Sequence, residues 1–353
     1  MSFNTRLTFG EMLIRITIEQ YLDDFSSLPV VDVRSPAEHE KGHIPNAVNI
    51  PIFSNEERAA VGTAYKQISR EHAIEIGMEF VQPKLQRFIN DTLQVAPDKT
   101  VVVHCWRGGM RSQSFAEHLL ENGFLRVYVI EKGYKAFRTV VLNGFRHDAP
   151  LVVIGGYTGS AKTEIIKHIQ KTSDQQVIDL EGLANHRGSA FGGIDQGPQP
   201  TTEQFENNIF WEWKDLDPNK PIWIEDESRA IGNVVIPQAI FEKMRRCRLY
   251  FLDISREERV KHLLKDYGEV NKEALKDSIH RISSRLGGLN TRHALHHLEK
   301  GEMYDLAKML LAYYDKYYAK GVAKRDPNMV TKIPLKTANP IQNSIEIRKW
   351  LNE

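Results

Sequence analysis

Cysteine is scarce in this 353-residue chain: only Cys105 and Cys247 occur. Two thiols are too few for a disulfide framework, and the expected setting is a reducing one, the cytoplasm. Long apolar runs are missing as well. None approaches the ~20 residues that a membrane-spanning helix needs, so no membrane is expected among the partners. The opening residues, MSFNTRLTFGEM, lack the basic-then-apolar order of a secretory signal. Neither sign of charge is in excess, because 47 Lys+Arg face 46 Asp+Glu for a net charge of +1. That balance neither favours nor excludes nucleic acid; an RNA partner would have to be held by a local basic patch. Internal repeats and low-complexity segments are also absent. What the chain does have is a 41% hydrophobic composition and enough length for two globular domains.

The most telling stretch is HCWRGGMRS, His104 to Ser112, directly after the apolar run Thr100-Val101-Val102-Val103. A cysteine at the end of a buried strand, followed by a short glycine-containing loop closing on an arginine, forms an anion cradle. Backbone N–H groups converge in the loop, Arg111 adds a fixed positive charge, and both favour a reactive thiolate at Cys105. Arg107, Gly108, Gly109, Met110, Arg111 and Ser112 are therefore the expected anion loop. The same pattern fits cysteine-dependent phosphatases, so the loop alone does not name a reaction. Upstream, VVDVRSPAEHEKGHIPNAVNIP (Val30 to Pro51) resembles the N-terminal signature of rhodanese domains, which move sulfur or selenium on cysteine. It predicts a buried strand over Val30 to Val33, a helix entered through Pro36, and a second strand over Ala47 to Ile50. Asp32 and Arg34 are expected to support the loop structurally, by pairing with each other or by reaching it electrostatically.

A second motif, GGYTGSAKT (Gly155 to Thr163), follows the apolar strand Leu151 to Ile154. A glycine-rich turn between strand and helix aims backbone N–H groups at phosphate, and the helix dipole reinforces this. Gly156, Thr158, Gly159, Ser160, Ala161, Lys162 and Thr163 are the expected diphosphate-binding residues, with Lys162 supplying charge and the Thr163 hydroxyl meeting a metal or phosphate oxygen. The phosphate-loop pattern has glycine where this chain has Ala161, and a methyl is expected to fit there if the residue is already helical. The pattern thus supports phosphate binding more than hydrolysis.

The remaining pattern is α/β throughout, with a boundary near Gly144 to Pro150 that predicts domains over 1–147 and 148–353. Residues from Asn55 to about Leu93 predict one or two amphipathic helices. The C-terminal part alternates strand and helix as a doubly wound parallel sheet does, with strands over Leu151–Ile154, Gln176–Leu180, Ile222–Glu225, Leu249–Ile254 and Val330–Pro334. Glu225, Asp226 and Glu227 put acidic residues at the carboxyl end of the Ile222 strand, where a metal partner of a phosphate loop belongs or where a strand simply exits into solvent, and Asp226 is a candidate for site support. His186 and Arg187 in LEGLANHRGSAFGG, and Arg229 in IEDESRAIGNVVIP, are further candidates for site support. The glycines beside Arg281, Arg285 and Arg292 suggest a mobile anion-gripping lid, and HALHHLEKGEMYDLAKMLLAYYDKYYAKG reads as a long amphipathic helix. Lys243, Arg245, Arg246 and Arg248 form a basic cluster that offers an RNA contact. Trp106 and Tyr157 are candidates for stacking on an unstacked base.

In this order, HCWRGGMRS followed by GGYTGSAKT, DLEGLANHRGSAFG and IEDESRAIG resemble the tRNA 2-selenouridine synthases over nearly the whole chain. The fold this implies is α/β, an N-terminal rhodanese-like domain plus a C-terminal P-loop doubly wound parallel-sheet domain. The resemblance implies a transferase that replaces the sulfur of wobble 2-thiouridine in tRNA with selenium from selenophosphate, through an S-geranyl intermediate made from geranyl diphosphate. Selenophosphate and geranyl diphosphate are then co-substrates, an enzyme making selenophosphate is the implied donor partner, and no metal ligands are assigned, with Mg²⁺ the candidate if one is needed. Cys105 either carries selenium covalently or assists its delivery. Two rival readings stay open on the residues alone: a cysteine-dependent phosphatase or sulfurtransferase fused to a kinase-like P-loop module, and a non-enzymatic sulfur- or nucleotide-sensing scaffold.

Overall fold

The computed structural model describes residues 12–145, 149–189, 191–194, 196–267 and 271–351. The chain divides between Gly144 and Phe145 into two compact units. The first is built on five parallel strands: β1 (Met12–Ile16), β2 (Val30–Asp32), β3 (Val48–Asn49), β4 (Thr100–His104) and β5 (Arg126–Ile130). Their order across the sheet is β1-β5-β4-β2-β3. The central strand β4 reads Thr-Val-Val-Val-His, and Val101, Val102 and Val103 are all fully buried. A continuous apolar run of this kind is what a parallel strand covered on both faces requires. Edge strand β1 went unnoticed in the sequence because its short Met-Leu-Ile-Arg-Ile pattern leaves Met12 half exposed.

The segment from Asn55 onward forms three helices, Asn55–Gln67, Arg70–Val81 and Leu85–Val95. The first starts on a capping box: Ser54 accepts from the Glu57 N–H while Glu57 accepts from the Ser54 N–H at 2.8 Å. Phe88, Ile89 and Phe115 join Val101 and Val103 in the core on that side of the sheet.

The second unit has five parallel strands as well: β6 (Leu151–Gly156), β7 (Gln176–Ile178), β8 (Ile222–Glu225), β11 (Leu249–Asp253) and β12 (Val330–Pro334), ordered β12-β11-β6-β8-β7. A hairpin, β9 (Ala230–Ile231) with β10 (Val234–Val235), accounts for the AIGNVV segment. The chain leaves β6 towards β7 on one side and later comes back to β11 on the other. The carboxyl end of β6 is therefore the switch point where ligands bind in such sheets.

Two sequence expectations change here. The run from His293 to Gly321 is not one helix: it breaks at Gly301, in the left-handed region, between helices Gly288–Lys300 and Met303–Val322. The glycine-arginine segment, expected as a glycine-rich loop, is helical on both sides of Gly287. Helix Lys272–Leu286 meets helix Gly288–Lys300 at Gly287, and Ile279, Ile282, Leu286, Ala294 and Leu298 bury a shared core. Among the described residues no helix is long and apolar enough to cross a membrane.

Candidate active site

The first candidate centre forms at the carboxyl end of β4, where the chain turns through Cys105 and enters helix Met110–Glu121. Cys105 is 3% exposed, and its Sγ lies 3.3 Å from Ser112 Oγ. Ser112 also lies 3.2 Å from the Gly109 carbonyl, to which it donates. A serine has one hydroxyl proton, so ionising Cys105 turns that proton from Gly109 to sulfur. Burial pushes the thiol up, but the Ser112 hydroxyl, the Arg111 charge and the N–H groups of Arg107 and Ser112 outweigh it. The net result is a thiol below its ordinary range, as a nucleophilic cysteine requires.

The loop is held from behind by helix Gly133–Gly144, whose Tyr134 N–H donates to the Cys105 carbonyl at 2.9 Å and whose Lys135 N–H donates to the Trp106 carbonyl at 3.0 Å. This close approach explains two glycines. A β-carbon on Gly133 would lie 2.1 Å from the Cys105 carbonyl oxygen, and one on Gly108 would lie 2.4 Å from the Ile130 carbonyl. Met110 is half exposed at the head of the helix.

Arg111 donates to Glu38 at 2.9 Å, while Glu38 also accepts from the Ser35 N–H at 3.2 Å. The PAEHE helix thus reaches the loop and orients its arginine, a role the sequence did not disclose for Glu38. Burial pushes the Glu38 carboxyl up, yet Arg111 and the Ser35 N–H hold it below the usual range. Asp32 and Arg34 pair with each other. Arg34 Nε lies 2.9 Å and Nη2 2.6 Å from Asp32 Oδ2, both side chains are buried, and the guanidinium lies 3.9 Å from the Tyr134 ring centroid. His104 sits beside them, its Nδ1 3.8 Å from Asp32, and burial holds it neutral with its pKa lowered to about 4.

The second candidate centre is the phosphate loop between β6 and helix Lys162–Thr172. Ser160 donates to the Tyr157 carbonyl at 2.7 Å, and the Gly156 N–H donates to the Tyr318 hydroxyl at 3.2 Å. Arg259, itself fixed by Asp315 at 2.9 Å, donates to the Thr158 carbonyl at 3.1 Å. Gly159 takes a left-handed turn with φ 82°. Ala161 is not yet helical, as the sequence reading required. It caps the helix at φ 58° and ψ 30°, a left-handed conformation that costs a non-glycine residue about 1–2 kcal/mol. Its methyl is 5% exposed and packs in the same core as Ile165 and Ile169, which offsets part of that cost.

Lys162 Nζ donates to the Gly156 carbonyl at 3.2 Å, spanning the loop. The Thr163 hydroxyl lies 2.8 Å from Glu181 and 2.5 Å from Glu225. It can donate to only one of them at a time. Burial, together with Glu181 and Glu227, holds Glu225 well above the usual carboxylate range, and Glu227 is pushed up to about 8, first by burial and then by Glu181. Asp226, the acid singled out from sequence, is engaged elsewhere. It receives Arg325 and Arg245, each at 2.7 Å, and the Tyr318 hydroxyl at 2.9 Å. Alternation along β8 places its last residue, Glu225, against Thr163.

The ANHRGS loop folds onto these acids. At Gly188 a β-carbon would lie 2.6 Å from Glu181 and 3.0 Å from Glu227, so the backbone approach is to carboxylates. The His186 ring is half buried with Nδ1 unpartnered, and burial followed by Arg281 lowers its pKa. The Arg187 N–H donates to the Gly192 carbonyl at 2.9 Å. Arg229 has one buried guanidinium nitrogen without a partner and sits 5.8 Å from the Phe241 ring centroid. Beside Thr158 opens a cleft of about 510 Å³, counting its mouth, walled by Phe191, Leu263, Leu275, Leu306, Leu310 and their neighbours. Sequence periodicity marks those residues as helix faces but cannot place them at a phosphate loop.

Comparison with known proteins agrees with this geometry. Residues 17–139 match the rhodanese-like domain, and residues 149–339 match the tRNA 2-selenouridine synthase AAA domain. The chain belongs to the tRNA 2-selenouridine synthase family. A tRNA 2-selenouridine synthase from Nitrosomonas eutropha is 40% identical over 250 residues, covering 68% of this chain and 63% of that one. The match therefore spans less than two thirds of that relative's length. Synthases from Sulfurovum sp. (33% identical over 335 residues) and Shewanella denitrificans (31% over 351) are covered over 90% and 94% of their lengths, and 84% and 88% of this chain. In this family's terms the cysteine loop belongs to the rhodanese-like match. The phosphate loop, the acids around Thr163 and the apolar cleft belong to the part matched by the synthase domain.

Proposed function

We propose that this protein converts wobble 2-thiouridine in tRNA to 2-selenouridine in the cytoplasm, using geranyl diphosphate and then selenophosphate. The observation that carries this reading is the cleft shared with the phosphate loop. A nucleoside triphosphate presents a polar sugar and base beyond its phosphates, whereas the walls beside Thr158 are leucines, Met303 and Phe191. Such walls suit a hydrocarbon chain attached to a diphosphate.

In the first step the thiouridine sulfur forms a bond to geranyl C1, the C1–O bond breaks, and diphosphate leaves. Gly156 to Thr163 cradle that diphosphate, with Lys162 and the loop N–H groups taking up the developing charge. Alkylation matters because a thiocarbonyl is a poor leaving group and a thiol is a good one. In the second step selenium adds to C2 of the base, geranylthiol departs, and water takes the phosphoryl group from selenium. The Cys105 loop holds the anionic end of selenophosphate, while Cys105 carries selenium or assists its delivery, the donor enzyme being the source of selenophosphate. Thr163, Glu181 and Glu225 offer only oxygen donors, and Glu225 Oε2 is buried without a partner. That set fits Mg²⁺, which when bound would supply charge neutralisation for the diphosphate.

Ala307, part of the cleft wall, gives the test. Replacing it with tryptophan fills the cleft and leaves the phosphate loop intact. Each buried CH₂ is worth about 0.8 kcal/mol, so excluding three or more carbons should weaken geranyl diphosphate binding about 50-fold or more, with inorganic diphosphate unaffected. Calorimetry that finds both ligands weakened alike, or neither, counts against the cleft as the prenyl site.

A further inference from the structure

Of the basic residues that the sequence offered for RNA, in the 243–248 cluster and in the Arg/His segment around 281–297, those of the cluster have partners of their own. Arg245 binds Asp226 and the Glu227 carbonyl, Arg248 binds the Asn328 carbonyl and Thr331, and Arg246 faces Glu242. A different set of cations is free. Arg107, Lys132 and Lys135 line one open-mouthed cavity of about 560 Å³ beside the cysteine loop, its wall completed by Ala136 and Thr139.

We propose that this cavity binds backbone phosphates of the RNA strand whose base is presented to Cys105, an inference that rests on the functional reading above. Three observations carry it. Among the described residues none of the three cations has a carboxylate partner, so their charge is available to an incoming anion. Two of them are anchored at the thiol's loop through the backbone: Arg107 lies within it, and the Lys135 N–H donates to the Trp106 carbonyl at 3.0 Å. Finally, Trp106 is 37% exposed at the same loop, with one side against Tyr134 at 5.7 Å between ring centroids. Unpaired cations next to an exposed aromatic ring are what single-stranded nucleic acid uses, phosphates on the charges and an unstacked base on the ring. Tyr157, the other candidate ring, packs among Phe251, Tyr318 and Arg259. The cavity thus places strand and base at the Cys105 loop.

The test is tRNA binding to the full chain by fluorescence anisotropy from low to high salt, comparing the wild type with a Lys132→Gln/Lys135→Gln variant. Glutamine keeps most of each side chain and leaves Arg107 in place. The variant should bind tRNA roughly tenfold more weakly, with a log–log salt slope shallower by about 1.4, since each single-strand phosphate contact contributes about 0.7. Its KM for selenophosphate should not change. Unchanged tRNA affinity and slope would overturn the proposal, and a raised selenophosphate KM in that case would assign the cavity to the small donor anion. A wild-type chain that binds no tRNA would overturn the functional reading itself, and the inference with it.

Discussion

Cys105→Ser is expected to reduce selenouridine formation by at least about 10³-fold while geranyl transfer continues at its normal rate, so that S-geranyl tRNA accumulates. The loss follows from chemistry, because a serine hydroxyl in the same cradle does not ionise near neutral pH and cannot replace a thiolate. The fold has little reason to change: the replacement is nearly isosteric, and Ser112 at 3.3 Å can bond to a hydroxyl as well as to sulfur. Nucleoside analysis and a thermal melt on the same sample separate the two effects. The pH dependence has a defined sign. The Cys105 pKa is lowered on folding, so the native state favours the thiolate, and the resulting stabilisation is present above the unfolded pKa and is lost as pH falls through the folded value. Alkylation of Cys105 by iodoacetamide should therefore reach half its limiting rate at a lower pH in the native chain than in urea. Equal midpoints would show that the loop does not activate the thiol.

Lys162→Ala should produce the mirror image. Geranyl transfer is expected to fall by about 10²–10³-fold, the usual effect of removing one charge-stabilising donor from a departing anion. Selenium transfer to tRNA that already carries the geranyl group should be unaffected. The only hydrogen bond described for the Lys162 amine is to Gly156 across the loop, so removing it leaves the buried network of Arg259, Asp315 and Tyr318 in place. Steady-state assays on thiolated and pre-geranylated tRNA distinguish the two steps. If Lys162→Ala slows both equally, the phosphate loop does not serve the prenyl donor alone.

These two loops were legible in the sequence because each is contiguous: one short run carries the strand, the turn and the reactive groups. Glu181, Glu225 and Tyr318 were harder to find, since they reach the phosphate loop from the short helix Leu180–Leu183 after β7, from the end of β8 and from helix Met303–Val322. Choosing between Glu225 and Asp226 depends on the facing of one strand residue, and composition carries no trace of that. Ala161 shows the opposite limit. The motif marked its position correctly, but only the backbone reveals that the methyl is held in a left-handed turn. Basic residues show the same limit: the sequence does not reveal that Arg245 bonds the Glu227 carbonyl and Arg248 the Asn328 carbonyl, nor that Arg107, Lys132 and Lys135, scattered along the chain, come together at a cavity.

In the proposed two-step exchange, alkylation at the phosphate loop precedes selenium transfer at Cys105. Mass spectrometry of nucleosides from 2-thiouridine tRNA, incubated with the full chain and each donor alone or both together, tests it most directly. The expected products are S-geranyl-2-thiouridine with geranyl diphosphate alone, 2-selenouridine with both donors, and unchanged 2-thiouridine with selenophosphate alone. Selenouridine formed without geranyl diphosphate, or an unaltered nucleoside under every condition, would contradict it.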